Sequence, residues 1–279
     1  MTSRPGLRAL EPLVRGGLPI LLLLCACGGE TSSAPDPASP AAAIEAPSGP
    51  HTLAVCATAS LRRAFEAIAR RYEQEHSGAS VTLHFDGGTQ LLAAMNAGER
   101  CDVIAVGDSS VMARITSAGH TAVGSPAELA RNRIAIAVAS GNPKQVQGMA
   151  DLGRKDLRLA LGARTSSIGR HSRWVLSRLE LAPTPAVEAA TAEAVLAKVA
   201  SGEADAGIVY ATSFAGTGSG VQRIDVPSEQ NTPALYSISA ARAPTEPRTA
   251  AAFRALALGP VGQELLGDAG FLPIGAKLH

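Results

Sequence analysis

Aromatic side chains are scarce, with one Trp, three Tyr and five Phe among 279 residues. Sites that grip sugars, bases or quaternary amines rest on several aromatic faces, so those ligand classes are disfavoured from the start. Charge of one sign is lacking too. Lys plus Arg number 25 against 24 Asp plus Glu, so no strong field steers the chain toward nucleic acid, and no nucleic-acid partner is expected. No G-x-S-x-G elbow surrounds any Ser. His51, His76, His84, His120, His171 and His279 are dispersed with no metal-ligand spacing. The chain is therefore expected to be no enzyme and to carry no cofactor and no resident metal, with His84 and His171 read as surface or satisfied histidines. No repeat of solenoid period appears.

A long hydrophobic run is also missing. The longest, at residues 18–26, is too short to span a bilayer as a mature helix, but it follows Arg4, Arg8 and Arg15 in the charge order of a secretory signal. It ends in Leu24-Cys25-Ala26-Cys27-Gly28, which resembles a bacterial lipobox, a small residue preceding the Cys that takes the lipid. Cys27 fits that role and Cys25 fits worse, because bulky Leu24 would occupy the small-residue position. The plainer alternative is two incidental Cys in an uncleaved anchor. Residues 27–50 then read as a lipidated Cys and a tether with Pro35, Pro37, Pro40, Pro47 and Pro50 and almost no large apolar side chain, which cannot bury enough to fold. The expected organisation is a signal peptide over 1–26, the tether, and a folded part from residue 51. Loss of the signal leaves that mature chain near neutral. Cys56 and Cys101 would then lie in a compartment where disulfides form. Each sits in an apolar strand-like run, Cys56 toward the end of one and Cys101 at the start of another, which in parallel neighbours are opposite ends, so free buried thiols are expected.

From Leu53 onward short apolar runs alternate with amphipathic segments, the pattern of an α/β protein with mainly parallel strands. Strands are predicted at 53–57, 81–85, 102–106, 134–139, 158–161, 206–210 and 235–240. Leu61, Ala64, Phe65, Ile68 and Tyr72 repeat at helical spacing, with Ser60 as the N-cap. Further helices are predicted at 91–97, 110–118, 169–179, 193–201 and 245–258, with Gly98, Gly119 and Gly202 as stops.

The junctions between strands and helices carry the functional signal. They read Ala57-Thr58-Ala59-Ser60, Asp86-Gly87-Gly88-Thr89, Thr165-Ser166-Ser167-Ile168-Gly169 and Ala190-Thr191-Ala192. Ser and Thr cap helices everywhere and Gly-Gly makes turns, so any one junction alone is ordinary. Their joint occurrence is not. In an open α/β sheet the ligand crevice lies beyond the carboxyl ends of the strands, where helix N-termini present free N–H groups and partial positive charge. Such a crevice binds an anion through neutral dipoles.

Four stretches make the pattern specific. LAVCATASLRRAFEAIARRYE, VTLHFDGGTQLLAAMNAGERCDVIAVGD, SGEADAGIVYATS and AFRALALGPVGQELLGDAGFLPI are similar, in order, to the opening strand, turn and helix, the "ADVF-SAD" segment, the "GEADAGIVYATD" signature and the "FL-SPEGQ-IL-KYGF" ending of one family. Over about residues 53–274 the chain resembles the periplasmic molybdate-binding proteins of bacterial ABC importers. The resemblance implies a type II periplasmic-binding-protein fold, an α/β molecule of two lobes, each a mainly parallel sheet flanked by helices. Lobe 1 would be 51–131 plus 235–279 and lobe 2 would be 132–234, joined by a two-segment hinge. It implies a ligand, molybdate or tungstate, held between the lobes by hydroxyl and backbone N–H donors. Carried over by position, Ser60 and Tyr210 supply hydroxyls, while Ile168, within Ser-Ser-Ile-Gly, and Ala192, beside Thr191, donate from the backbone. The second-turn Ser of the family falls on Gly88, where only the N–H remains and Thr89 can supply a hydroxyl.

A fully deprotonated tetrahedral dianion offers only acceptors, so a site of pure donors satisfies it, whereas phosphate carries a proton and gains from an acceptor. Asp86 bears on that choice. It either caps its own turn and points outward or touches the ligand. Arg164 and Arg170 flank the fifth-strand turn and either balance Asp86, contact the anion, or lie solvated on the lobe surface. The resemblance further implies a periplasmic monomer whose partners are an inner-membrane permease and its ATPase, and the lipobox-like segment at Cys27 adds a lipid anchor. A binding protein for phosphate or sulfate, and a lipid-anchored sensor domain of the same fold, remain as alternatives.

Overall fold

The computed structural model describes residues 50–121, 123–215 and 220–275. Cys27, the signal segment and the tether up to residue 49 lie outside them. The first half of the folded part holds β1 (His51–Thr58), α1 (Arg62–Glu75), β2 (Ala79–Asp86), α2 (Gly88–Asn96), β3 (Val103–Val106), α3 (Ser109–Ser117) and β4 (Ala127–Asn132). Then follow β5 (Ile134–Ala139), β6 (Leu159–Gly162), α4 (Ser167–Arg178), β7 (Val187–Ala189), α5 (Ala192–Ala200), β8 (Ala206–Tyr210) and β9 (Val221–Asp225). The chain closes with β10 (Ala234–Ala240), α6 (Pro247–Leu258) and α7 (Pro260–Asp268).

These strands form two sheets of five, ordered β2-β1-β3-β10-β4 and β7-β6-β8-β5-β9. Each is mixed, and not mainly parallel as the alternation of apolar runs and helices predicts. In the first sheet β1 pairs parallel with β2 and β3, while β10 runs antiparallel to β3 and β4. The second sheet repeats this, with β6 parallel to β7 and β8, and β5 antiparallel to β8 and β9. The physical reason is the crossing. The chain passes from one sheet to the other between β4 and β5, across Arg133, and returns between β9 and β10. A strand that arrives from the other sheet, β5 or β10, enters without a crossover helix and so runs against its neighbours.

The α1 stripe forms as its spacing predicts. Phe65, Ile68 and Tyr72 are fully buried, and the Tyr72 and Phe65 rings meet Phe253 of α6 at centroid distances of 5.4 and 6.2 Å. Burying side chains of this size is worth about 1.5 to 3 kcal/mol each. Gly98, Gly119 and Gly202 stand at positive φ just beyond α2, α3 and α5, as stops. Ser60 does not cap α1. It lies inside a 3-10 turn, Ala59–Leu61, that leads into the helix, and the cap position falls to Leu61 with no side-chain bond. Strands β4, β7 and β9 and helix α7 escape sequence reading, because AELARN, VEA and VQRID lack an apolar run and α7 follows α6 across a single Gly.

The expectation of free thiols is overturned. Cys56 and Cys101 form a disulfide with a Cα–Cα distance of 5.6 Å. The argument from opposite strand ends fails because β3 begins only at Val103. Cys101 lies ahead of the strand, where the chain is not held to strand register. The chain there is shaped by buried Asp102, whose carboxylate accepts from the Ala54 and Thr245 N–H groups at 2.9 and 2.8 Å and from Arg100 at 2.7 Å. Burial by itself raises the Asp102 pKa, but the Arg100 guanidinium and the two N–H groups outweigh it and hold the carboxyl below its usual range.

The disulfide closes a loop of sequence separation 45. The double replacement Cys56→Ser, Cys101→Ser should therefore lower unfolding free energy by about 2 to 4 kcal/mol. A urea titration of parent and variant checks this, and coincident midpoints would refute it.

Candidate functional site

The carboxyl ends of β1, β2, β6 and β8 and the start of α5 converge on one cavity of about 150 Å³. Its lining takes Thr58, Ala59 and Ser60 from the end of β1, Asp86 to Gln90 from the β2–α2 turn, Ala163 to Ile168 apart from Arg164 from the β6–α4 turn, Ala190 to Glu193 from the start of α5, and Tyr210 from the end of β8. Ser60, Gly88, Thr89, Ile168, Ala192, Tyr210, Asp86 and Thr191, eight positions singled out in the sequence, are thus brought together across both sheets. Arg164 is not among them. It lines a separate hollow with Arg173, Leu176 and Leu181.

Three of the junctions open α-helices of nine residues or more, and the fourth opens the 3-10 turn that runs into α1. The first N–H groups of each have no intrahelical carbonyl to serve, and each N-terminus carries a partial positive charge. At α4 and α5 a hydroxyl caps the helix from within the turn. Ser166 Oγ accepts from the Gly169 N–H and Thr191 Oγ1 from the Ala194 N–H, both at 3.1 Å, which leaves the N–H groups of Ile168 and Ala192 in the first turn for another acceptor. The α2 cap, Gly87, offers no side chain.

Two hydroxyls in this lining are buried and have no partner among the described residues, Tyr210 OH and Thr58 Oγ1. Burial pushes the Tyr210 phenol well above its ordinary value, so at neutral pH it is a donor. Ser60 Oγ, by contrast, has a partner, the Tyr236 hydroxyl at 2.8 Å. Gly88 is buried, and a Cβ there would meet Val111 Cγ1 at 3.1 Å, so a side chain would fit only with a small shift of Val111. No Lys, Arg or His lines the cavity among the described residues. Two carboxylates do. Asp86 is exposed and its Oδ1 accepts from the Gly87 N–H at 2.7 Å, the turn-capping arrangement, while it still borders the cavity. Glu193 is exposed and accepts from Ser213 Oγ at 3.2 Å.

Arg170 balances a carboxylate other than Asp86. Its guanidinium donates to Asp108 Oδ2 at 2.5 Å, and Asp108 caps α3 by accepting from the Ser110 N–H at 2.9 Å and from the Val111 N–H. This ion pair joins a helix on the first sheet to one on the second. Burial by itself raises the Asp108 pKa, and the Ser110 hydroxyl and Arg170 outweigh it, holding the carboxyl below its usual range. His171 is only half satisfied: its Nε2 bonds the Thr232 carbonyl at 2.7 Å, its Nδ1 is buried without a partner among the described residues, and burial lowers its pKa.

Sequence reasoning did not single out Thr58, Gln90 or Glu193 as site residues. Thr58 carried a usable signal, a hydroxyl at the last position of a strand whose next residues open a helix. Glu193 reads from sequence as an ordinary first-turn acid, and only the fold turns it toward the cavity.

A cavity between two mixed sheets, walled by helix N-termini and hydroxyls, defines a two-lobe solute-binding protein. The family model described as bacterial extracellular solute-binding protein matches residues 53–272, and the chain belongs to that family, one of binding proteins and not of enzymes. The molybdate-binding protein ModA of Mycobacterium tuberculosis is 30% identical over 248 residues, which are 89% of this chain and 92% of ModA. Among solved structures, the Azotobacter vinelandii periplasmic molybdate-binding protein superposes with TM-score 0.67 at 18% identity, covering 79% of this chain and 98% of its own. The sulfate-binding protein SubI of M. tuberculosis superposes with TM-score 0.70 at 17% identity, covering 80% and 87%. These structures share the fold. No helix among the described residues is long and apolar enough to cross a membrane.

The Asp108–Arg170 pair ties the two sheets by a contact that depends on an ionised carboxylate. Arg170→Met should broaden the distance distribution between spin labels placed on α1 and α5. In the parent the constraint is complete above the unfolded carboxylate pKa and is lost as pH falls through the depressed native value, so broadening should begin only below about pH 4. A distribution that ignores both the substitution and the pH would make the pair an idle surface contact.

Proposed function

We propose that the protein captures a tetrahedral oxyanion, molybdate first and tungstate with it, between its lobes and delivers it to a membrane permease served by an ATPase. It would act in the periplasm as a lipid-anchored monomer, with Cys27 carrying the lipid. The observation that supports this best is the buried Tyr210 hydroxyl, which among the described residues has no partner and shares its cavity with no basic side chain. Ser60, Thr58, Thr89 and Tyr210 would donate from hydroxyls, and Gly88, Ile168 and Ala192 from the backbone. An acceptor-only dianion satisfies such donors, and neutral dipoles confine it without an ion pair. The relatives named for molybdate favour that anion over sulfate. A ligand touching both lobes binds their closed arrangement better and shifts the population toward it, the form a permease can recognise.

Asp86 favours a second reading. A carboxylate bordering the cavity suits an anion that keeps a proton, of the phosphate type, whereas its bond to the Gly87 N–H draws it onto its own turn.

Tyr210→Phe should weaken molybdate binding by about 1 to 3 kcal/mol, the worth of one hydrogen bond to a charged partner, or roughly five- to 150-fold. An unchanged dissociation constant by calorimetry would remove Tyr210 from the site. Parallel titrations with molybdate, tungstate, sulfate and phosphate test the cargo: saturable binding of the first two, with little of the others, is expected. Asp86→Asn should raise molybdate affinity if the carboxylate only repels a dianion. A fall in phosphate affinity on the same change would move the reading to the protonated anion.

A further inference from the structure

Tyr236 lies on β10 beneath the cavity and belongs to none of its walls. It is fully buried, and its hydroxyl is 2.8 Å from Ser60 Oγ. On its other side stands Asn132, the last residue of β4, at the first crossing between the sheets. The two Nδ2 hydrogens of Asn132 are both spent, one on Thr212 Oγ1 at 2.9 Å and one on the Tyr236 hydroxyl at 3.4 Å. The phenol oxygen therefore already receives a hydrogen bond, and its own hydrogen has one acceptor within reach, Ser60 Oγ. Either hydroxyl of this pair can donate, and the orientation of the Asn132 amide decides between them: with Nδ2 toward the phenol and Oδ1 buried without a partner among the described residues, Ser60 as donor would leave the phenol hydrogen facing amide hydrogens.

We infer that Tyr236 is a positioning residue for ligand binding: by donating to Ser60 Oγ it turns the Ser60 hydroxyl hydrogen into the cavity, toward an acceptor-only anion. This inference rests on the oxyanion reading of the site. A serine hydroxyl rotates freely and can face a ligand with a lone pair as readily as with its hydrogen. For a dianion the first orientation is repulsive and the second attractive, so fixing the rotor before the ligand arrives selects for ligands without a proton to give. The ring has no freedom to release Ser60. A Cβ on Gly107 would come within 2.5 Å of the Tyr236 ring, so the ring packs closely over Gly107, and Phe271 meets it edge-on at 5.0 Å. Burial pushes the Tyr236 phenol up to about 12, so the donor stays protonated throughout the physiological range. Asn132 and Thr212 come from the two sides of the crossing, so the orientation of Ser60 is set by groups from both sheets.

The test is a double-mutant cycle by calorimetry on the purified protein, with molybdate and, in parallel, sulfate and phosphate as probes. Tyr236→Phe keeps the ring and its packing and should cost about tenfold or more in molybdate affinity, the worth of one donor held in place. Ser60→Ala should cost at least as much. In the Ser60→Ala background Tyr236→Phe should cost nothing further, because the effect travels through Ser60, whereas a general loosening of the crossing would add to it. Thermal melts accompany each variant. Unchanged or tighter molybdate binding by Tyr236→Phe overturns the inference, since freeing a Ser60 hydrogen that pointed the other way would strengthen the site. Undiminished binding by Ser60→Ala overturns it too, whatever the fate of the Tyr236 variant. A parent that binds none of the three anions overturns the oxyanion reading and this inference together, while a parent that binds with additive single effects overturns this inference alone.

Discussion

Two buried asparagines hold the joint on which everything else depends. Asn231, in the return crossing, pairs with the backbone of Ile134 as a strand would, donating from Nδ2 to the Ile134 carbonyl at 2.8 Å and accepting its N–H at 3.1 Å. Asn132, in the first crossing, joins Thr212 to Tyr236. A buried amide left without partners costs a few kcal/mol, so the two-ended pairing of Asn231 and the Nδ2 bonds of Asn132 specify one path for the two crossing segments. With that path set, the carboxyl ends of strands from two separate sheets face one another, and the helix N-termini that follow them converge.

The convergence explains why the site can take an anion without a cation. Each N-terminus contributes only a fraction of a charge, but four of them share one small cavity with hydroxyls whose hydrogens have nowhere else to go. The basic side chain nearest in function, Arg170, is occupied with Asp108, outside the lining. The carboxylates that border the cavity are each tied to a donor beside them, Asp86 to its own turn and Glu193 to Ser213. The charge pattern is therefore one of neutral donors inside, two carboxylates at the border each bonded to a neutral donor, and one ion pair, Asp108–Arg170, outside the lining.

Below the cavity the carboxyl-terminal residues serve packing. Phe271 lies against Tyr236, and the Arg131–Leu272 bridge fastens the end of the chain to β4. The family-like ending that is so visible in the sequence thus acts at second hand, by supporting the phenol that reaches Ser60. The disulfide does comparable work on the opposite flank, tying β1 to the segment before β3.

How much of this was legible in the chain follows from the range of each interaction. Helix α1, the strands with unbroken apolar runs and the glycine stops are local, determined by periodicity and backbone freedom within a few residues, and they form as read. The hydroxyl-rich junctions were legible for the same reason, as was the two-lobe class through its motifs. What sequence could not decide was geometry between distant residues: whether Cys101 meets Cys56, whether Ser60 caps its helix or faces Tyr236, which carboxylate Arg170 finds, and in which sense β5 and β10 join their sheets. Those outcomes hang on contacts spanning 45 to 176 positions. Pattern along the chain determines which surfaces each element offers, and only the packed crossings decide which of those surfaces meet.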